Sequence, residues 1–190
     1  NSVNYTERWY SKTINKTWMD DTIVSGGVTK YGYIDIDTIS GFKTARDYSF
    51  NSSLSTTIYG MKQFRRGPIR AIRHVVRPSV GFSYLPDFGR EDLGYWKTVQ
   101  TDSKGSTALY SIFEGNSISG APPSQKSGAI NFSLSNNLEM KVRSKSDTVS
   151  GTKKIMLIDN FSISTSYDLA KDSLKWSNVN LSARTTLFKK

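Results

Sequence analysis

Residues 128–143 read Gly128-Ala-Ile-Asn-Phe-Ser-Leu-Ser-Asn-Asn-Leu-Glu-Met-Lys-Val-Arg143, and apolar side chains occupy nearly every second position. Asn136 is the one polar residue in the apolar row. Because successive side chains of a β-strand point to opposite faces of the sheet, this period predicts a strand with one oily and one hydrophilic face. The apolar row is Ile130, Phe132, Leu134, Leu138, Met140 and Val142, and the hydrophilic row is Asn131, Ser133, Ser135, Asn137, Glu139, Lys141 and Arg143.

The same period recurs along much of the chain. Further segments that carry it are 48–58, 76–84, 155–169 and 178–187, with 3–12 and 31–39 as additional strand candidates. In segment 155–169 the apolar row includes Phe161 and Ile163, and the hydrophilic row includes Ser162, Ser164 and Ser166. Arg184 lies in the hydrophilic row of the last segment. These patterns predict roughly seven or eight strands.

Composition favours a sheet in lipid over a soluble core. Hydrophobic residues make up only 36% of the 190 residues, but 12% are aromatic, which is typical of an ordered chain. No apolar run reaches the length of about 20 residues that a membrane helix needs. Strands of a membrane barrel alternate apolar and polar residues, so they contain no such run and are not excluded by its absence. No secretion signal opens the chain, so we expect a piece of a larger protein or a trimmed mature chain.

The connections between the patterned segments differ in length. A long stretch of about 87–126 separates two of them, while 144–152 and 171–177 are short. Outer-membrane barrels have long external loops and short periplasmic turns. We therefore predict an all-β, antiparallel transmembrane β-barrel, to which residues 1–190 contribute one part. Its long loop is external, and the basic segment 62–74 is periplasmic.

Positive charge is concentrated near the middle of the chain. The net charge is +10, and the densest basic segment carries Arg65, Arg66, Arg70 and Arg73. A solvated turn and a surface that contacts lipid phosphates both fit these residues. The segment lacks interleaved stacking aromatics, so no nucleic-acid partner is expected.

The sequence offers no constellation for bond chemistry. His74 is the only histidine, and there is no cysteine. The pairs Asp20-Asp21 and Asp35-x-Asp37 do not continue into a calcium loop. Paired carboxylates, a phosphate-cradling glycine loop and a nucleophile motif are all missing from the sequence. We expect no enzyme, no metal site and no cofactor.

Three blocks of sequence resemble one family. They are Ile69-Arg-Ala-Ile-Arg-His-Val-Val-Arg-Pro-Ser-Val-Gly-Phe-Ser-Tyr-Leu-Pro-Asp-Phe88, the segment 127–143, and 154–176 continued by Arg184-Thr-Thr-Leu-Phe188. They are similar to the lipopolysaccharide-assembly outer-membrane protein family LptD, in its Bacteroidota form. The resemblance covers residue 45 to the end and is vague before it.

The resemblance implies a very large barrel in the outer membrane of a Gram-negative bacterium. Such a barrel receives lipopolysaccharide from periplasmic bridge components, inserts it into the outer leaflet and encloses a plug lipoprotein, LptE. We expect residues 1–190 not to include the family's periplasmic domain, and they contain no cysteines of the kind that lock some relatives, so the resemblance does not extend to gating.

The resemblance also predicts what surrounds the apolar row and the hydrophilic row. Outer-membrane lipids should meet Ile130, Phe132, Leu134, Leu138, Met140, Phe161 and Ile163. The lumen should be lined by Asn131, Ser133, Ser135, Asn137, Glu139, Lys141, Arg143, Ser162, Ser164, Ser166 and Arg184. Two alternatives stay open at this stage: another outer-membrane channel or transporter barrel, and a soluble secreted β-sandwich that binds glycans.

Overall fold

A computed structural model describes residues 1–116, 119–144 and 151–186, and for residues 25, 28 and 30 it describes the backbone only. Nine strands and one short 3-10 turn, Glu91–Leu93, account for the regular structure of these residues. The strands are β1 (Ser2–Ser25), β2 (Val28–Ser55), β3 (Ile58–Gln63), β4 (Ile69–Leu85), β5 (Trp96–Gln100), β6 (Thr107–Ser111), β7 (Ser127–Arg143), β8 (Thr152–Asp168) and β9 (Asn180–Arg184). The predicted all-β class is confirmed.

Strand pairing is antiparallel in β3–β4, β5–β6, β7–β8 and β8–β9. Seven strands share one sheet in the order β1-β2-β4-β7-β8-β9, with β3 also paired to β4, and β5 and β6 form a second sheet. Within the described residues this order ends at β1 and at β9, so the strands form an open sheet and not a closed barrel. A part of a barrel, which the sequence predicted, has this topology.

The chain divides into two compact units, and the first comprises Asn1–Ser2, Asn51–Tyr84 and Gly128–Lys190. It contains the end of β2 together with β3, β4, β7, β8 and β9. Among its described residues Val75 is the only buried hydrophobic side chain. Gly128 permits close packing here, because a Cβ at this position would lie 3.3 Å from both Tyr84 and Leu169. The described residues of this unit therefore form a sheet without a hydrophobic core of their own.

The second unit comprises Val3–Phe50 and Leu85–Ser127. The β1–β2 hairpin turns at Gly26 and Gly27, whose φ angles of +60° and +76° suit a tight two-residue turn. A small core lies where this hairpin meets the β5–β6 hairpin. It consists of Tyr10, Ala45, Val99, Tyr110, Ile112 and Phe113. The rings of Tyr10 and Phe113 stack with their centroids 3.9 Å apart.

The first two strands are much longer than the predicted segments 3–12, 31–39 and 48–58. β1 has 24 residues and β2 has 28. Both strands continue through positions where apolar and hydrophilic side chains do not alternate. Trp18 covers Gly32 so closely that a Cβ there would overlap its ring. Strand pairing, unlike side-chain period, leaves little trace in a sequence.

One connection also differs from what its sequence indicated. The stretch 87–126 contains the 3-10 turn and the β5–β6 hairpin, so it has secondary structure of its own. Most of the turn 144–152 lies outside the described residues. The last strand covers Asn180–Arg184, within the predicted segment 178–187, whose final residue is also not described. In the described part of the chain no helix is long and apolar enough to cross a bilayer.

Candidate functional site

The hydrophilic row predicted for β7 meets the corresponding row of β8 across the sheet. Asn131 lies opposite Ser166, Ser133 opposite Ser164, and Ser135 opposite Ser162. Residues directly opposite each other in an antiparallel pair project from the same face. The two rows therefore make one continuous surface of hydroxyl and amide groups.

Side-chain hydrogen bonds extend this surface to the neighbouring strands. The hydroxyl oxygens of Ser79 on β4 and Ser133 lie 2.7 Å apart, and those of Ser162 and Ser182 on β9 are separated by the same distance. Arg184 is opposite Asn160 and belongs to the same face. We call this surface, which runs from β4 through β7 and β8 to β9, the hydroxyl face.

The apolar row lies on the other side of the same strands. Ile130 is opposite Tyr167, Leu134 is opposite Ile163, and Phe132 is opposite Thr165. Phe161 faces Asn136, the polar exception of the sequence pattern. None of these side chains is buried, since Phe132 is 36% exposed and the others are half-exposed. No second layer of the described residues of this unit covers the apolar face.

The pairing of β7 with β8 departs from simple alternation near the middle of both strands. The register shifts between Asn136 and Leu138 and again between Leu138 and Glu139. Leu138 is consequently opposite Ile158, and Met140 is opposite Ile155. Asn137 lies at the shift, where its side-chain amide donates to the main-chain oxygen of Asp159 at 2.9 Å. A bulge of this kind is invisible to a strict period of two.

The four arginines of the basic segment are divided between two places. Arg65, Arg66 and Arg70 line one hollow, which they share with Arg143 from the end of β7. Arg73 is separate: its guanidinium donates to Glu139 at 3.1 Å and lies over the ring of Tyr59. A cavity of about 310 Å³ beside it is also lined by Lys141. Sequence reasoning had not connected Arg143 with the basic turn.

The titratable groups give no indication of catalysis. Among the residues that the structure describes, no three His, Cys, Asp or Glu side chains converge on a position that could hold a metal ion. Asp102, in the turn between β5 and β6, has a lowered pKa because hydrogen bonds from Ser106 and from the Lys104 amide stabilise its charged form. This is the chemistry of a structural turn.

Comparison with known families assigns the chain. A family model described as LptD protein matches residues 1–190. The chain belongs to the LptD family. No curated protein and no solved structure matches the sequence. The resemblance that the sequence carried is thus confirmed at the level of the family, while its Bacteroidota form stays a prediction.

Membership gives the LptD chain a general role. The LptD family acts in lipopolysaccharide transport and assembly at the outer membrane, with lipopolysaccharide as substrate and other Lpt components as partners. It is a family of transport and assembly proteins and not of enzymes.

Proposed function

We propose that this chain forms part of an outer-membrane β-barrel of a Gram-negative bacterium that inserts lipopolysaccharide into the outer leaflet. The two-faced sheet is the observation that carries the proposal. In a barrel wall, the apolar face of β7 and β8 contacts outer-membrane lipids and the hydroxyl face lines the lumen. The whole chain, 1–190, then belongs to one barrel domain, and the segment 87–126 lies outside the cell.

The dimensions of the strands support this placement. β4, β7 and β8 each have 17 residues, which correspond to about 55 Å of extended strand. A strand tilted by about 45° needs only 9–11 residues to cross the hydrocarbon region. These strands can cross the membrane and continue beyond it. A soluble β-sandwich would instead bury its apolar rows against a second sheet.

The chemistry of the hydroxyl face suits the substrate. Lipopolysaccharide carries sugars and phosphates, and the face offers Ser hydroxyls, Asn amides and the cations Lys141 and Arg184. Small side chains leave room next to the wall, and each can donate or accept a hydrogen bond. A molecule with many polar groups can therefore pass along this face without losing all of its hydrogen bonds.

Completion of the barrel requires partners for both edges of the sheet. Unpaired strand edges cannot remain exposed to lipid, because their backbone groups would have no hydrogen-bond partners. We infer that further strands pair with β1 and β9. A plug lipoprotein related to LptE occupies the lumen, and periplasmic bridge components supply the substrate.

Depletion of the protein in its own cells tests the function. Lipopolysaccharide should disappear from the cell surface and accumulate in the periplasm and inner membrane, where fractionation and immunoblotting detect it. Re-expression of the unchanged gene should restore the surface material. Normal surface display after depletion would contradict the proposal and favour a different channel. A protein that stays monodisperse in buffer without detergent would favour the soluble sandwich.

A further inference from the structure

Four arginines line one hollow in the first unit. The hollow has a volume of about 530 Å³ and is lined by Arg65, Arg66, Gly67, Pro68, Arg70 and Arg143. Arg65 and Arg66 come from the turn between β3 and β4, Arg70 is the second residue of β4, and Arg143 is the last residue of β7. We call these four side chains and the space between them the arginine hollow.

The backbone that carries these arginines is fixed by hydrogen bonds. Gly67 has a φ of +93°, a conformation that favours glycine, and Pro68 follows it. The amide of Phe64 donates to the carbonyl of Arg70 at 2.8 Å, and Arg70 Nη1 donates to the carbonyl of Arg65 at 3.3 Å. The turn is therefore closed upon itself.

A further bond ties the turn to β7. The amide of Arg143 donates to the carbonyl of Pro68 at 2.8 Å. This bond holds the end of β7 next to the turn, although the two are far apart in sequence. Part of the entropy cost of bringing the guanidinium groups together is thus met when the sheet forms.

The charge in the hollow is not balanced within the described residues. No carboxylate lines it, and none of its four arginines forms an ion pair there. Arg73, a few residues further along β4, pairs with Glu139. Asp147 lies outside the described residues. Four like charges around one space repel each other and attract an anion.

The donor set fits a phosphate group. A guanidinium presents its N–H groups as a planar fork that matches two oxygens of a phosphate, and several such forks can bind one doubly charged group. The hollow is also open enough to admit a phosphate that is attached to a larger body. A carboxylate of a side chain would use fewer of these donors.

We propose that the arginine hollow binds the phosphate group of a membrane-lipid head group. The choice of a lipid rests on the proposed function, because a turn at the end of membrane-crossing strands lies at the level of the head groups, whereas the anion site itself rests on the four arginines alone. The phosphate can come from lipopolysaccharide or from an anionic phospholipid of the adjacent leaflet.

Binding to two matched lipid pairs tests the proposal. The full-length protein, purified in a non-ionic detergent, is titrated with bisphosphorylated lipid A and with lipid A from which both phosphates have been removed. Phosphatidic acid and diacylglycerol with the same acyl chains form the second pair. Native mass spectrometry reports the bound fraction. We expect the phosphorylated member of at least one pair to bind about tenfold more tightly, and the pair concerned identifies the source.

The variant R65Q/R66Q/R143Q should lose this preference. It leaves Arg70, which holds the turn, in place. The control K43Q/K104Q/K126Q removes the same number of positive charges at exposed positions outside the hollow and should keep the preference. The conservative variant R65K/R66K/R143K retains the charge but not the forked geometry, so it should bind with intermediate affinity.

Three results would overturn the proposal. The unchanged protein could show no preference for the phosphorylated lipid in either pair, or R65Q/R66Q/R143Q could bind like the unchanged protein. The control K43Q/K104Q/K126Q could also lose as much affinity as R65Q/R66Q/R143Q does. Failure of the proposed function is a separate outcome. It would be seen as normal lipopolysaccharide display after depletion, and the binding measurements in detergent would still decide whether the hollow takes phosphate.

Discussion

The hydroxyl oxygens of Ser79 and Ser133 lie 2.7 Å apart, and this contact joins β4 to β7 on the hydroxyl face. Leu134, the next residue of β7, projects from the opposite face, where it is paired with Ile163. Adjacent positions of one strand thus have opposite surroundings. The two faces can be compared by replacing one residue on each face with arginine.

Arginine at position 134 should prevent assembly into the membrane, and arginine at position 133 should be tolerated. A charged side chain on the lipid face of a barrel costs about 2–4 kcal/mol near the midplane, whereas the lumen is wet. The measurement is the amount of L134R and of S133R in the outer-membrane fraction, relative to the unchanged protein. Equal loss of both variants, or loss of S133R alone, would show that the faces have been assigned wrongly.

Replacement of Trp176 by alanine should weaken the connection between β8 and β9. Its ring lies 5.1 Å from that of Tyr167 and 5.9 Å from that of Phe132, measured between centroids. Two aromatic pairs contribute roughly 1–3 kcal/mol. The unfolding midpoint in urea, followed by the gel mobility of the folded form, should fall for W176A and stay nearly constant for W176F. A midpoint unchanged by W176A would mean that these contacts do not contribute.

Alanine at position 89 should destabilise the second unit. A Cβ on Gly89 would overlap the carbonyl oxygen of Ser124, which is backbone and cannot rotate away. Overpacking of this kind costs about 1–3 kcal/mol. At Gly120, by contrast, an added Cβ meets no atom within 4 Å. Limited proteolysis should therefore cut G89A faster than G120A, and equal rates would contradict the close approach.

The turn that follows β5 should loosen in acid. The pKa of Asp102 is lowered chiefly by its hydrogen bond with the side chain of Ser106, and backbone amides add to the effect. Since the folded pKa is below the unfolded one, the carboxylate stabilises the turn above the unfolded pKa, and this contribution is lost as the pH falls through the folded pKa. The protection of the amides of residues 102–106, which is the intrinsic rate relative to their exchange rate at the same pH, should fall over that range. In D102N the protection should be low at every pH, and a pH-dependent loss of protection in that variant would rule out this carboxylate as the cause.

The sequence predicted the strands that have an apolar row and a hydrophilic row on opposite faces. The segments 128–143 and 155–169 correspond to β7 (Ser127–Arg143) and β8 (Thr152–Asp168), because two such rows on one strand give a period of two. The true extent of β1 and β2 could not be read in this way, since those strands are held by backbone pairing and by contacts such as that of Trp18 with Gly32.

The sequence predicted which arginines stand out as a cluster, but it did not predict which of them lie together in the structure. Arg65, Arg66 and Arg70 stand out as a charge cluster in the sequence. Arg143 lies next to these three residues only because the start of β4 and the end of β7 are neighbours in the sheet. Arg73 does not line the hollow and instead forms an ion pair with Glu139. Such groupings depend on the order of strands, and local sequence carries no record of that order.

The stacking of Tyr10 on Phe113 has a consequence for biogenesis. The β1–β2 hairpin is complete long before Ile112 and Phe113 have been synthesised, and a long two-stranded ribbon is marginally stable alone. Its exposed apolar side chains must therefore be shielded until the later hairpin arrives. Chaperones that hold this early segment would act before the later hairpin is present, and cross-linking of chains that end before residue 96 would detect them.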